Sequence, residues 1–436
     1  MQAPDSKFAC RATIMHCLGD PGIDPDSPQM QIIENGMLVV NKGIIEAIGP
    51  ADEIQPSLDP SLPVKDYSDK IIVPGFIDTH VHYPQSDMIA SYGEQLLDWL
   101  QRYTYPTESR FASIEYAQEV ANFFVEEMLK NGTTTASVFA TTHPCSVDAV
   151  FSAAENNGMR LIAGKVLMDR NCPEDLRDTP ESGYEDSRSL IEKWHNKGRL
   201  AYALTPRFAP TSSIKQLELT GKLAREYPNV HIQTHLAENQ KEIQWVAELF
   251  PGHRSYLDVY RHFGLTRKRS IFGHCVYIDD KDRTLMHNTR SAISFCPTSN
   301  LFLGSGLFDL DAAINAGVAV GLGTDVGAGT SFSMLKTMAE AYKVLQLKHQ
   351  PLPAYRALYL ATLGGAKALD LDSKVGNLEP GKDADFVVLN TTSTALIERR
   401  TNAAQDLHSK LFALIMLGDE RTISATYCFG KKVYGD

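Results

Sequence analysis

Paired cysteines, long apolar runs and clustered basic charge are all missing from this 436-residue chain, and each absence removes a class of function. Its seven cysteines, Cys10, Cys17, Cys145, Cys172, Cys275, Cys296 and Cys428, are odd in number and scattered, with no C-x-x-C pair. That argues against a disulfide framework and a Cys-rich zinc site, so they read as reduced small hydrophobes. No apolar stretch approaches the roughly 18 residues of a membrane helix, and the N-terminus MQAPDSKFAC lacks a basic segment leading into an apolar one. The expectation is a soluble, cytoplasmic protein. Acidic residues outnumber basic ones, 53 to 42, for a formal charge of −11, and no Lys/Arg run resembles a phosphate-tracking surface; a nucleic-acid partner is disfavoured. Nucleotide loops are absent too, because Gly321-x-Gly323-x-x-x-Gly327 has neither dinucleotide spacing nor a following G-K-[ST]. There is no G-x-S-x-G nucleophile elbow, and Asp148 stands where the second cysteine of a cytidine-type P-C-x-x-C zinc motif would fall after Pro144-Cys145.

What is present is an ordinary globular composition, 43% hydrophobic and 22% charged, long enough to bury a large core. Residues 30–50 read as a hairpin about Asn41-Lys42-Gly43, and a polar, proline-punctuated stretch follows over 51–63. Short apolar strands are then predicted at 71–78, 133–139, 160–168, 202–208, 230–236, 270–276, 291–296 and 318–324. Most are separated by stretches of helical spacing, such as 114–130 and 214–226. Eight strand-helix alternations predict an α/β fold, a parallel (β/α)₈ TIM-type barrel over residues 71–379. Helical segments at 333–348 and 352–369 precede a return to strand texture at 386–390 and 422–436. Neither end has enough strands for a stable sheet of its own, so residues 1–70 and 380–436 are expected to combine in a small β-sandwich. Helix 114–130, with Phe123, Phe124 and Met128, is expected to cover the barrel.

Metal-competent residues gather at the C-terminal ends of the predicted strands, where barrel enzymes build their active sites. In Asp78-Thr79-His80-Val81-His82, residues two apart face the same way, so His80 and His82 can present two imidazoles to one ion. An H-x-H alone reads more readily as two surface histidines. This one has company: Thr234-His235-Leu236-Ala237-Glu238 ends the fifth strand, Gly273-His274-Cys275 the sixth and Gly323-Thr324-Asp325-Val326-Gly327 the eighth. A single histidine on an apolar strand is usually a packed one, but four ionisable sites at four strand ends of one barrel would each be buried without a partner.

These residues carry a resemblance. V-P-G-F-I-D-T-H-V-H (73–82), H-x-x-E (235–238), His274 and Asp325 resemble the amidohydrolase superfamily, with G-N-L-E-P-G-K-D-A-D-F-V-V-L (376–389) as its C-terminal return. The likeness runs from about residue 8 to the end, and it is strongest to the guanine-deaminating branch. The stretches responsible are DTHVHYPQSDMIASYGEQLLDWL (78–100), TPRFAPTSS (205–213), THLAEN (234–239), CPTSNLFLGSGLF (296–308) and GLGTDVGAGTSFSML (321–335).

The resemblance implies hydrolysis of guanine to xanthine and ammonia by a metal-activated water. It implies one metal held by His80, His82, His235 and Asp325, a nitrogen and oxygen set suited to Zn²⁺, with Fe²⁺ as the alternative. Superfamily members with two metals use a carboxylated lysine at the end of the fourth strand, where this chain reads Thr205-Pro206-Arg207-Phe208; a mononuclear site is expected. Glu238 is the implied proton carrier and His274 and Asp325 its catalytic neighbours. Gln85 offers an amide to a purine edge, Arg207 a fork of donors to a carbonyl such as guanine O6, and Phe208 a ring to pack on, with His235, Glu238 and Asp325 also touching substrate. The bland alternative for Arg207 is an ion pair at the barrel rim. A homodimer is implied by resemblance alone. Other readings are an aminohydrolase for 8-oxoguanine or a pterin, and a noncatalytic scaffold of the same fold, which would typically have lost metal ligands.

Overall fold

Strand and helix alternate along most of the chain in a computed structural model that describes residues 7–93 and 95–435. Residues 1–6 and Asp436 of the terminal stretches, and Glu94 of the 78–100 motif, lie outside the described residues. The chain begins with β1 (Lys7–Cys17), β2 (Met30–Asn41), β3 (Ile44–Pro50) and β4 (Val64–Pro74). There follow β5 (Phe76–His82), β6 (Thr133–Phe139), β7 (Arg160–Gly164), the two-residue β8 (Val166–Leu167), β9 (Leu200–Pro206), β10 (His231–Leu236), β11 (Ser270–His274), β12 (Ala292–Phe295) and β13 (Ala319–Leu322). After further helices come β14 (Phe386–Leu389), β15 (Ile423–Cys428) and β16 (Lys431–Tyr434).

Strands β5, β6, β7, β9, β10, β11, β12 and β13 pair side by side in that order, every pairing parallel. Every residue of β5 and β6 is buried, as expected of strands covered on both faces. The ring closes between its first and last strands at the C-terminal end, where Asp325 N donates to His80 O (2.9 Å) and His82 N to Val326 O (2.8 Å). This is the (β/α)₈ barrel that the alternation predicts.

Both termini do build one unit, a mixed sheet in the order β16-β15-β14-β4-β1-β2-β3. It is a single hydrogen-bonded sheet that curls on itself. Phe8 of β1 and Tyr427 of β15 have ring centroids 6.0 Å apart although two strands lie between them, whereas a flat sheet would separate those strands by about 14 Å. Alternation then sorts the two faces. Ile72, Phe386, Val388 and Tyr427 turn into the sheet's own core, while Ile71, Val73, Val387 and Leu389 pack with the barrel.

Four expectations need correction. The strand expected at 71–78 is two strands in different sheets, because the chain passes from β4 to β5 at Gly75, where a Cβ would meet Thr134 Oγ1 at 2.1 Å; an apolar run buried on both sides has no periodicity to show the break. The strand at 160–168 divides at Lys165 into β7 and β8. Helix 352–369 is Ala354–Leu360 and Leu363–Ala368, interrupted at Thr362 (φ −133°, ψ −97°), and the carbonyl of Ala361 accepts from Ile77 N of β5 at 2.9 Å. In helix Ile114–Lys130, Phe124 and Met128 are buried but Phe123 is 48% exposed, since it falls off the stripe formed by Ala117, Val120, Ala121 and Phe124.

Candidate active site

The barrel mouth gathers residues from β5, β10, β11 and the turn after β13. His82 Nε2 lies 3.2 Å from His80 Nε2 and 3.1 Å from His235 Nε2. Asp325 Oδ1 is 3.2 Å from His80 Nε2 and 3.3 Å from His82 Nε2. Ligand atoms 2.0–2.1 Å from a shared centre at tetrahedral angles stand about 3.3–3.4 Å apart, so this donor set fits a single divalent ion. The ring orientations agree with that. His235 Nδ1 donates to the carbonyl of Arg207 (2.7 Å), which leaves its Nε2 lone pair facing the cluster. Burial, followed by the neighbouring imidazoles, holds the His235 pKa well below its ordinary value; burial also lowers His82 to about 3. Both are therefore neutral, as ligation requires. Burial alone would raise Asp325, but the surrounding imidazoles, His80 foremost, pull it well below the usual carboxylate range.

The backbone makes room for this cluster. A Cβ on Gly273 would meet His80 Cε1 at 2.8 Å, and one on Gly323 would meet His80 Cβ at 2.9 Å and Ser294 Oγ at 2.6 Å. Ala237, His274 and Asp325 all adopt left-handed φ of 50°, 69° and 52°, a costly conformation that turns side chains at strand ends toward the mouth. Asp78, fully buried, accepts from His80 N (3.1 Å) and Thr324 N (3.0 Å) and from the Thr324 hydroxyl. One carboxyl thus ties β5 to the Asp325 turn; burial pushes its pKa up to about 7.

Glu238 sits beside the cluster. Ser305 Oγ donates to its Oε1 (2.8 Å), and His274 Nε2 is 3.5 Å from Oε2. Burial, with the Asp325 carboxylate next to it, raises the Glu238 pKa to about 8, which suits a group exchanging protons near neutrality. His274 Nδ1 faces the Oδ1 of Asn300 at 2.9 Å, and its Nε2, buried without a hydrogen bond, lies 3.7 Å from Asp325 Oδ2. The Cys296 thiol also lies within reach of His80, His274 and Asp325, but burial, then Asp325, pushes its pKa far up and it stays a neutral thiol. All seven cysteines are free. Among the described residues, β9 and the Arg207-Phe208 segment after it carry no lysine; buried Lys165, at the break between β7 and β8, pairs with Asp178.

A cavity opens onto these groups. Of the residues singled out from sequence, His82, Gln85, Arg207, Phe208, His235, Glu238, His274 and Asp325 line it, with His80 behind in the ligand cluster. Arg207 lines the cavity and is also ion-paired, its Nη1 2.6 Å from Glu108 Oε2. Burial works against its charge, but Glu108 holds the guanidinium pKa above the ordinary value.

Sequence reasoning missed Leu96, Trp99 and Leu100, which roof the cavity from a helical run between β5 and helix Ile114–Lys130. Their spacing of three and four was visible in EQLLDWLQ. Glu242 was missed as well; it stands in a capping box with Asn239 and accepts from Glu238 N at 3.0 Å. Glu108 had no local signal at all. Among the described residues, no helix is long and apolar enough to cross a membrane.

Comparison with known proteins gives this geometry its relatives. The amidohydrolase family profile matches residues 71–433. The guanine deaminase of Escherichia coli (strain K12) is 53% identical over 405 residues, 93% of this chain and 92% of that protein. The solved structure of an E. coli guanine deaminase superposes with a TM-score of 0.95 at 49% identity, covering 99% of this chain and all of that one. A guanine deaminase from C. acetobutylicum with guanine bound in its active site gives a TM-score of 0.89 at 29% identity, covering 98% of this chain and 100% of that one.

Proposed function

The chain belongs to the amidohydrolase family, and from that premise we propose how the cavity at its barrel mouth works. The activity is guanine deamination: water adds at C2, the C2–N bond to the exocyclic amine breaks, and xanthine and ammonia leave. The observation that carries the site assignment is the convergence of three imidazole nitrogens and one carboxylate at the separations of a single coordination shell, beside the buried Glu238 carboxyl.

His80, His82, His235 and Asp325 are the ligands of one divalent ion, with zinc the metal this donor set suits. Such an ion, when bound, lowers the pKa of a water toward 7. Glu238, fixed by Ser305, takes a proton from the attacking water and passes it to a ring nitrogen, then takes the remaining hydroxyl proton of the adduct and delivers it to the departing amine. His274 hydrogen-bonds the attacking oxygen as C2 becomes tetrahedral, and Asp325 holds the line of attack. Arg207 donates to O6, Gln85 reads the same purine edge, and Phe208 packs on the ring; His235, Glu238 and Asp325 complete the contacts around C2. A cytoplasmic homodimer is the assembly we propose, consistent with seven free thiols and tested by the mass of the native particle.

An ultraviolet assay of purified protein of known metal content against guanine, adenine, cytosine, 8-oxoguanine and pterins tests the function. Guanine is expected to dominate. Preference for any other heterocycle would sink the reading.

A further inference from the structure

Glu108 is a buried carboxylate at the back of the cavity wall, and no step above uses it. It comes from the helical segment Tyr105–Ser109, far from the barrel strands in sequence. Its Oε2 accepts from Arg207 Nη1 at 2.6 Å and its Oε1 from Gln85 Nε2 at 3.1 Å. The other end of the Gln85 amide is also committed, for Oε1 accepts from Gly327 N at 3.2 Å. Tyr105, one helical turn before Glu108, lays its ring 5.5 Å from the Arg207 guanidinium.

A carboxylate can only accept hydrogen bonds and a backbone N–H can only donate. Between these two partners the Gln85 amide has one orientation, nitrogen toward Glu108 and oxygen toward Gly327. What the side chains then have left to offer the cavity is the second hydrogen of Gln85 Nε2 and the guanidinium hydrogens Glu108 does not take. That wall matches a purine edge of acceptors, such as O6 of guanine, and opposes an amino group at position 6.

We propose that Glu108 is a positioning residue that sets the selectivity of the pocket by fixing Gln85 and Arg207 as donors toward position 6 of the purine. This rests on the reading that O6 of guanine faces Arg207. With glutamine at 108, the partner could donate as well as accept, so only Gly327 N would still orient the Gln85 amide, and Arg207 would lose its counter-charge.

The test is kcat and KM of metal-replete Glu108→Gln and Glu108→Asp on guanine and on 2,6-diaminopurine, which keeps the 2-amino leaving group and carries an amine in place of O6. The wild type is expected to favour guanine strongly. In Glu108→Gln, kcat/KM for guanine should fall about tenfold or more, chiefly through KM, while 2,6-diaminopurine loses less, so that the preference shrinks by the ratio of the two losses. Glu108→Asp keeps the charge but draws it back, and should lose part of the preference; if Glu108→Gln proves unstable, it carries the test with the same outcomes. An unchanged preference in the folded variants overturns the role of Glu108, whatever happens to the absolute rates, and leaves the substrate pose standing. A wild type indifferent between the two purines overturns the pose, and this inference with it.

Discussion

Two walls of one cavity are built in different ways. The wall of His80, His82, His235 and Asp325 rests on barrel strand ends, and main-chain groups do most of the fixing: the Arg207 carbonyl orients His235, Asp325 N bonds His80 O and His82 N bonds Val326 O, and the buried Asp78 carboxyl ties the His80 and Thr324 backbones together. The wall of Gln85 and Arg207 is held mainly by a side chain, Glu108. Arg207 meets Glu108 across 99 residues of sequence and Gln85 meets it across 23, in a helical excursion that the barrel does not require. The difference teaches that the geometry of the proposed ligands is tied to the fold, whereas the proposed selectivity wall is held by contacts that can be altered one side chain at a time.

The harshest way to break this contrast is at the first wall. His235→Ala should abolish both metal retention and turnover, against one equivalent of divalent metal per chain in the wild type; elemental analysis showing two equivalents at full activity would overturn the single-ion site. Next in size is Glu238→Gln, which keeps shape and loses proton exchange. Its metal content should be normal while kcat falls by about 10²–10⁴, and near-normal turnover in replete protein would remove Glu238 from its role.

At the second wall, Arg207→Ala should lower kcat/KM for guanine by about 10- to 150-fold, from the 1.5–3 kcal/mol of a hydrogen bond to a charged group, with metal unchanged. It should also cost about 3–5 kcal/mol in denaturant unfolding, because Glu108 is left buried without its partner. Adding Glu108→Leu to Arg207→Met should recover most of that stability and little of the activity, which separates packing from recognition. Smallest is Gln85→Ala, whose neutral bonds predict a loss of about 2- to 13-fold, equivalent to 0.5–1.5 kcal/mol. A Gln85 effect larger than that of Arg207 would reverse the assignment of the dominant contact.

Much of this protein can be read from local pattern. Strand-helix alternation suffices for the barrel, since burial on both faces leaves apolar runs that spacing can detect. His80, His82, His235 and Asp325 stand in short motifs at strand ends, so their convergence follows once the barrel is drawn. Local pattern is silent where burial is uniform or partners are distant. The passage at Gly75 and the break at Thr362 leave no mark in the hydrophobic pattern, because both sides of each are buried. The curl that brings Phe8 to Tyr427 depends on how several short strands twist together. Glu108 shows the limit best: in sequence it is a carboxylate in a helical stretch, ordinarily a solvated one, and only packing the excursion against the end of β9 buries it and obliges it to pair with Arg207. Sequence alone determined the barrel and the motifs that carry the candidate metal ligands; tertiary structure decided which donors of the second wall face the cavity, because a hydrogen bond between distant segments is chosen by three-dimensional packing and leaves no period in the chain.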